Sequence, residues 1–274
     1  MQNSNQEKQN QPNHPAETGS VSQAYVDVNT LDNTPSSDLS KQNPREIARQ
    51  QLKYLFKPDD VFEICAIGPK WQKHASWSGF AGGKKAIVAG WFDDIEKVLD
   101  VVAAVTETDP TAIYCTLNPV NPALMARGNN RLQAGIARTQ DKEIKEIRHL
   151  LIDADPVRPA GISSTDQEKE AALELLRIVY SVLKILGWAE PLIGDSGNGG
   201  HLIYKLEGDC AGMVPGFLKV LDHKYSTDTV NIDTTVGNPA RLVKLYGTYT
   251  RKGDSTIDRP HRRATILSLP KEVK

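Results

Sequence analysis

Cysteine is scarce: Cys65, Cys115 and Cys210 are three in 274 residues. They stand far apart and form neither a CxxC pair nor a Cys/His zinc spacing, which argues against a disulfide framework and against a zinc ribbon. A reducing, cytoplasmic setting is expected. Long apolar runs are missing too. None approaches the roughly 20 residues of a membrane-spanning helix, and no signal peptide opens the chain, so no membrane partner is expected. Charge of one sign is not in excess, because 33 Lys+Arg against 34 Asp+Glu leave a formal net charge of -1. The molecule as a whole is no polycation, and any affinity for nucleic acid must come from local patches. The hydrophobic share of 39% is below the usual range, and there is no internal repeat.

A polar N-terminus accounts for part of that low share. Residues 1–43 are rich in Gln, Asn, Ser, Pro and Asp. Such a segment cannot bury enough surface to offset its ordering entropy, so it is expected to be a disordered tail, with Val21–Val28 the one candidate for an ordered arm. Residues 44–274 are expected to form the folded domain. A helical pattern starts at Pro44, with Ile47, Leu52, Leu55 and Phe56 on one side. Phe62–Ile67, Ala86–Ala89 and Ala112–Leu117 read as strands, and Asp93–Ala104 as an amphipathic helix. Gly82-Gly83-Lys84-Lys85 lacks the spacing of a nucleotide-binding P-loop and is expected to be a hairpin connection. Asn118–Arg138 is polar. A surface helix with solvated charges explains it at least as well as a patch that meets a template strand through Arg127 and Arg131.

The most informative stretch is Arg148-His149-Leu150-Leu151-Ile152-Asp153-Ala154-Asp155-Pro156. Its apolar run reads as a short buried strand ending in two carboxylates one residue apart. Residues i and i+2 of a strand share a face, so Asp153 and Asp155 project together. Two like charges that close are costly unless a cation lies between them, and a hard divalent ion takes oxygen ligands. A solvated Asp-x-Asp turn would explain these residues equally well, so the downstream segments decide. Thr165–Glu168 fits a capping box that opens a long helix, with Gly187 as its stop. Leu192–Tyr204 reads as strand, glycine turn, strand. The turn Ser196-Gly197-Asn198-Gly199-Gly200-His201 offers backbone N–H groups to an anion, with a Ser and a His at its lips. Residues 212–225 read as a helix. Val230-Asn231-Ile232-Asp233 repeats the pattern of an apolar strand bearing a carboxylate. From 241 to 263 there are seven basic residues (241, 244, 251, 252, 259, 262, 263) against two Asp (254, 258), a local excess suited to phosphates.

In this order the motifs resemble the archaeo-eukaryotic primase superfamily, in particular the primase-polymerases of phages, plasmids and mobile elements. Leu151–Pro156 is similar to the family's first motif, a strand ending in two acidic metal ligands. Asp195–Leu202 is similar to the second, whose Ser and His contact the incoming nucleotide. Asn231-Ile232-Asp233 is similar to the third, a lone acid completing the metal site. The resemblance covers roughly residues 60–269, and neither the zinc module nor the helicase motif that often accompany this core is seen. It implies an α+β fold: a primase catalytic core made of an α/β module and an RNA-recognition-motif-like module, with the active site in the cleft between them. It further implies two divalent ions, Mg2+ or Mn2+, on Asp153, Asp155 and Asp233. The triphosphate of a dNTP or NTP would be held by Ser196, Gly197, Asn198, Gly199, His201, Arg241 and Lys252. A single-stranded DNA template would meet Arg127, Arg131 and Arg251, and a helicase domain or protein is the expected companion. Metal-dependent glycosyltransferases also use Asp-x-Asp but do not need the later His and Asp. A nuclease shares the carboxylate logic without the triphosphate turn, a nucleic-acid-binding module would not need all three acids, and a serine-protease loop lacks a convincing His and Asp upstream.

Overall fold

The computed structural model describes residues 43–81, 86–208 and 210–271, all in one compact unit. The expected tail, its candidate arm and Gly82–Lys85 lie outside the described residues. Asn43 is described, and its side chain accepts from the Arg45 N–H to cap the first helix, α1 (Pro44–Leu55). The fold is mixed α+β. In chain order there follow β1 (Phe62–Ile67), β2 (Trp77–Ser78), β3 (Ile87–Phe92), α2 (Ile95–Thr106), β4 (Ala112–Thr116) and β5 (Leu132–Ala134). The second half runs β6 (His149–Pro156), α3 (Asp166–Ile185), β7 (Leu192–Asp195), β8 (Gly200–Lys205), α4 (Val214–Tyr225), β9 (Val230–Ile232), β10 (Leu242–Lys244), β11 (Tyr249–Thr250), β12 (Arg262–Arg263) and β13 (Thr265–Ser268). Among the described residues, no helix is long and apolar enough to cross a membrane.

Two sheets organise these elements. One has the order β10-β4-β1-β3-β5-β2, the other β13-β7-β8-β6-β9. Within the second, β6-α3-β7-β8-α4-β9 forms a β-α-β-β-α-β unit whose neighbouring strands are all antiparallel, the split βαβ topology of ferredoxin-like folds. Its first helix is built as its sequence dictates. Thr165 and Glu168 cap each other reciprocally at the start of α3, and Gly187 follows its end at φ 84°, the left-handed conformation glycine adopts without strain. Apolar residues recur along α3 at three- and four-residue steps, so that Ala172, Leu175, Leu176, Val179 and Leu183 are buried on one face, the face turned to the sheet. The terminal methyls of Leu173 and Leu176 lie so close over Gly200 that a side chain there would make them shift.

The two sheets share one apolar core, and α1 ties them. Tyr54 donates to the Ile203 carbonyl on β8 (2.8 Å). Gln51, fully buried, mimics a strand: its amide donates to the Lys244 carbonyl (2.9 Å) and accepts from the Tyr246 N–H (2.7 Å).

The segment 118–138 differs from a surface helix. It holds only a short 3-10 turn, Pro122–Ala126, and then β5, which joins the first sheet. Pro122 and the glycines at 128 and 135 deny it a continuous helix, and Gly135 takes φ 69°. The loop after β1 contains β2, which pairs parallel with β5. Asn238–Arg241 leads into a strand, β10.

Candidate active site

Strand pleating sorts the residues of β6 by face. Leu150, Ile152 and Ala154 are fully buried, whereas Asp153 and Asp155 are half-buried. Leu151, Asp153 and Asp155 line a cleft of about 100 Å3 together with Ser196, Asn198, His201, Thr250 and Lys252. The opposite wall is Tyr114 on β4 and Leu242 and Lys244 on β10, so both sheets contribute. A wider hollow of about 690 Å3 beside α1 mixes Lys53, Lys57, Lys97, Asp93, Asp94 and Glu96 and has no convergent set of one chemistry.

The three acids are neighbours through the β6–β9 ladder, with Asp153 and Asp155 in the cleft and Asp233 beside them. Ala154 of β6 is paired with Ile232 of β9, and the ladder continues as the Asp233 N–H donates to the Asp153 carbonyl (2.8 Å). The consequence is electrostatic: burial, then Asp155 and Asp233, push the Asp153 carboxyl up to about 8, against the pull of Lys252 and Arg241. Such crowding of like charge favours a cation or a proton. Each acid also has a partner within the chain. Arg158 donates to Asp155 Oδ1 (3.1 Å), Asp233 Oδ1 accepts from the Thr235 N–H (2.8 Å), and His201 Nε2 lies 3.6 Å from Asp153 Oδ1. Among the described residues, no group of three His, Cys, Asp or Glu side chains stands close enough to ligate one metal ion. The donor chemistry fits a hard cation, since it is all oxygen and one carboxylate oxygen of Asp155 and of Asp233 lies outside these bonds; a closed ligand sphere would require the side chains to turn.

His201 faces Asp153 directly across β6 and β8 and is 4% exposed. Its Nδ1 is 2.9 Å from the Tyr246 hydroxyl, so Asp153, His201 and Tyr246 form a line into the core. Burial holds the imidazole down at about 4. Tyr246 presses on Gly194, leaving no space there for a side chain.

The glycine turn is not the open amide cradle expected from its composition. The Gly197 N–H donates to Asp195 Oδ1 (2.7 Å) and the Gly199 N–H to Ser196 Oγ (3.1 Å). Asp195-x-Gly197 is an Asx turn, a competitor for the amides that its sequence carries. The donor it offers instead is a side chain. Asn198 Oδ1 accepts from the Ser164 N–H (2.8 Å) and hydroxyl (3.2 Å), which orients the amide and leaves its buried Nδ2 without a partner.

The predicted basic residues divide. Lys252 lines the cleft, and Arg241 acts on Asp153 electrostatically while donating to the Thr235 carbonyl. Arg251 is outside the cleft lining, paired with Asp109 (3.2 Å). Arg127 pairs with Glu143 and stacks over Trp91 (5.6 Å), and Arg131 is exposed at the entry to β5; neither lines the cleft. Lys244, a buried lysine in the cleft wall, is a site residue that the motifs do not single out. Its Nζ donates to Thr248 Oγ1 and to the Tyr249 carbonyl (both 2.8 Å), and burial drives its pKa well down. Within the basic stretch nothing in the sequence sets it apart.

No protein-family model matches the chain, and no curated protein matches it. Among solved structures it is similar to the crystal structure of primase RepB', at 12% identity and a TM-score of 0.44, over 81% of this chain and 55% of that one. The chain thus spans about half the length of that primase.

Proposed function

We propose that the chain is the catalytic core of a template-dependent nucleotidyltransferase of the archaeo-eukaryotic primase type, a primase or polymerase acting in the cytoplasm. In this reading the ferredoxin-like unit is the RNA-recognition-motif-like module and the six-stranded sheet belongs to the α/β module. The observation that carries it is a cleft in which Asp153 and Asp155 stand with Lys252 and the unpartnered amide of Asn198, while Asp233, 80 positions after Asp153, is hydrogen-bonded through its backbone to Asp153 and adds to the charge that raises its carboxyl.

The reaction joins a hydroxyl to the α-phosphate of a nucleoside triphosphate and expels pyrophosphate. Asp153, Asp155 and Asp233 would hold the divalent ions, Mg2+ or Mn2+. When bound, such ions neutralise phosphate charge and make the attacking hydroxyl more acidic. The remaining work falls to the chain. Lys252 and Arg241 supply positive charge for the phosphates. Asn198 donates its fixed amide to an acceptor oxygen in the cleft. Tyr246 holds the His201 ring, so that Nε2 faces the acid and the nucleotide. Ser196 braces the turn by accepting from the Gly199 N–H, which leaves its own O–H to donate in the cleft.

The test is incubation of the protein with single-stranded DNA, labelled nucleotides and Mg2+ or Mn2+, with and without primer. Wild type should incorporate label, and Asp153→Ala with Asp155→Ala should abolish incorporation while thermal unfolding stays cooperative. Normal extension by the double variant would refute the assignment of the acids, and labelled nucleotide sugars consumed in place of nucleotides would favour a glycosyltransferase.

A further inference from the structure

The turn between α2 and β4 is strained and shared. Asp109 takes φ 47°, a left-handed conformation uncommon outside glycine though tolerated by Asp. On one side the turn receives the loop after β1, through the Lys70 N–H to the Thr108 carbonyl (2.9 Å). On the other it receives the strap that leaves the cleft, through the Arg251 N–H to the Thr111 carbonyl (2.8 Å) and Arg251 Nη1 to the Pro110 carbonyl (3.1 Å). The Asp109 carboxylate ties both cations, Lys70 at 2.8 Å and Arg251 at 3.2 Å. Lys252, next to Arg251, lines the cleft. A path bearing three cations, Lys252, Arg251 and Lys70, therefore runs outward from the cleft, with the Asp109 carboxylate between the last two.

Aromatic surface accompanies it at both ends. Near the cleft, the Arg251 and Arg263 guanidinium groups lie 4.7 and 5.1 Å from the Tyr249 ring centroid. Beyond Lys70, Trp71 is 51% and Phe80 58% exposed. The Ala81 N–H donates to the Gln72 carbonyl (2.8 Å), which brings the backbones of these two aromatics alongside one another. Trp71 is tilted on His74, with centroids 5.2 Å apart, and Lys73 is exposed between them in sequence. Single exposed aromatics are ordinary on a protein surface, but two brought alongside one another present an apolar patch of the kind that marks an interaction site. Cations that lead to exposed ring faces suit a single nucleic-acid strand, because every base has a face to stack and every linkage a charge to neutralise.

We propose that the path from Lys252 through Arg251 and Lys70 to Trp71 and Phe80 binds a single strand of nucleic acid, whose bases stack on Trp71 and Phe80. The site rests on the nucleotidyltransferase reading for its purpose, as the path of a template to the cleft, but not for its chemistry. Duplex is excluded as the occupant, since its bases are already stacked and offer the ring faces nothing.

The experiment is fluorescence anisotropy with labelled oligothymidylate and the full chain carrying Asp153→Ala and Asp155→Ala, so that no turnover intervenes. Adding Trp71→Ala should weaken binding about tenfold, the loss of one stacked base, and Trp71→Phe should restore most of it. Lys73→Ala should lower the slope of log K against log salt by about 0.7. Trp71 is half exposed, so the variants should melt as the parent does. Oligouridylate in place of oligothymidylate tells an RNA strand from a DNA strand. Binding by Trp71→Ala within twofold of its parent, or an equal loss on duplex DNA, would overturn the proposal. If stacking is lost on substitution yet no variant or wild type incorporates nucleotides, the strand site stands and the polymerase reading falls. If wild type and Trp71→Ala incorporate and bind alike, the reverse holds.

Discussion

Gly199 is the position where stability and chemistry are most tightly coupled. It sits in the turn just before β8, against the strand that carries the acids. A Cβ built there would lie far inside contact distance of the Ala154 carbonyl oxygen, and 3.3 Å from both the Ala154 carbonyl carbon and Asp155 Oδ1. To reach van der Waals separation, the turn or strand β6 must retreat by about 1 Å. Overpacking of this kind costs about 1–3 kcal/mol, which for a chain of this size lowers Tm by roughly 5 °C. The larger effect is on function. The carbonyl that must move lies between Asp153 and Asp155, and a displacement of about 1 Å at reacting groups costs about 100-fold in rate. Gly187→Ala is the control. Gly187 needs a positive φ, 84°, but a Cβ there meets nothing within 4 Å. It should lose about 1 kcal/mol of stability through backbone strain and keep its activity per folded molecule. Thermal melts and nucleotide incorporation, measured on both variants, check this. A Gly199→Ala protein that melts within a degree of wild type and incorporates at the wild-type rate would show that the turn does not hold the acids in place.

Two other expectations concern the scaffold. His149, 3% exposed, has its pKa lowered from 6.5 to about 4, chiefly by burial and then by Lys205 and Arg148; it stays neutral when folded while the unfolded chain takes up a proton near 6.5. Its contribution is complete above that pH and is lost at about 1.4 kcal/mol per unit as pH falls toward 4, so the stability lost between pH 7 and 5, read by urea titration, should be about 2 kcal/mol smaller in His149→Phe than in wild type. Glu63 is fully buried and held by Arg138 and by the Thr139 N–H (3.1 Å); Arg138→Ala strands that carboxylate and should cost about 3–5 kcal/mol by chemical denaturation, with loss below 1 kcal/mol counting against a structural role for the pair.

What the chain makes legible is local. The reciprocal cap at Thr165 and Glu168, the stop at Gly187 and the period-2 face of Asp153 and Asp155 each depend on neighbours within a few residues, and each stands where periodicity and capping chemistry put it. The site acids can be named because they end apolar strands. Expectation fails where a segment's partner lies elsewhere. The polar pattern of residues 118–138 suggests a helix with solvated charges. Arg127 instead closes on Glu143 and Trp91, and Arg138 on Glu63, so the segment is pinned by long-range pairs that a polar pattern cannot reveal. The glycine turn suggests amides free for a ligand, although Asp195 and Ser196, adjacent in sequence, compete for them.

Lys244 marks the other limit, because burial of a lysine is a property of the whole fold. Two of its partners, Thr248 and Tyr249, are nearby in sequence, but the Ile113 carbonyl (3.4 Å) and the Tyr114 ring (5.7 Å) come from β4, about 130 residues earlier. The same pairing of β10 with β4 puts Leu242 and Lys244 opposite the acids. The acids' own separation is likewise set by main chain. Asp233 is held to Asp153 through a backbone hydrogen bond, and a slip of β9 by one residue would turn its carboxylate to the other face. Side chains at this site can turn; the strands that present them cannot drift without breaking the ladder. The fixed part of the site is therefore the spacing of its three acids, and the variable part is which partner each carboxylate takes, Arg158, Thr235 or His201 within the chain.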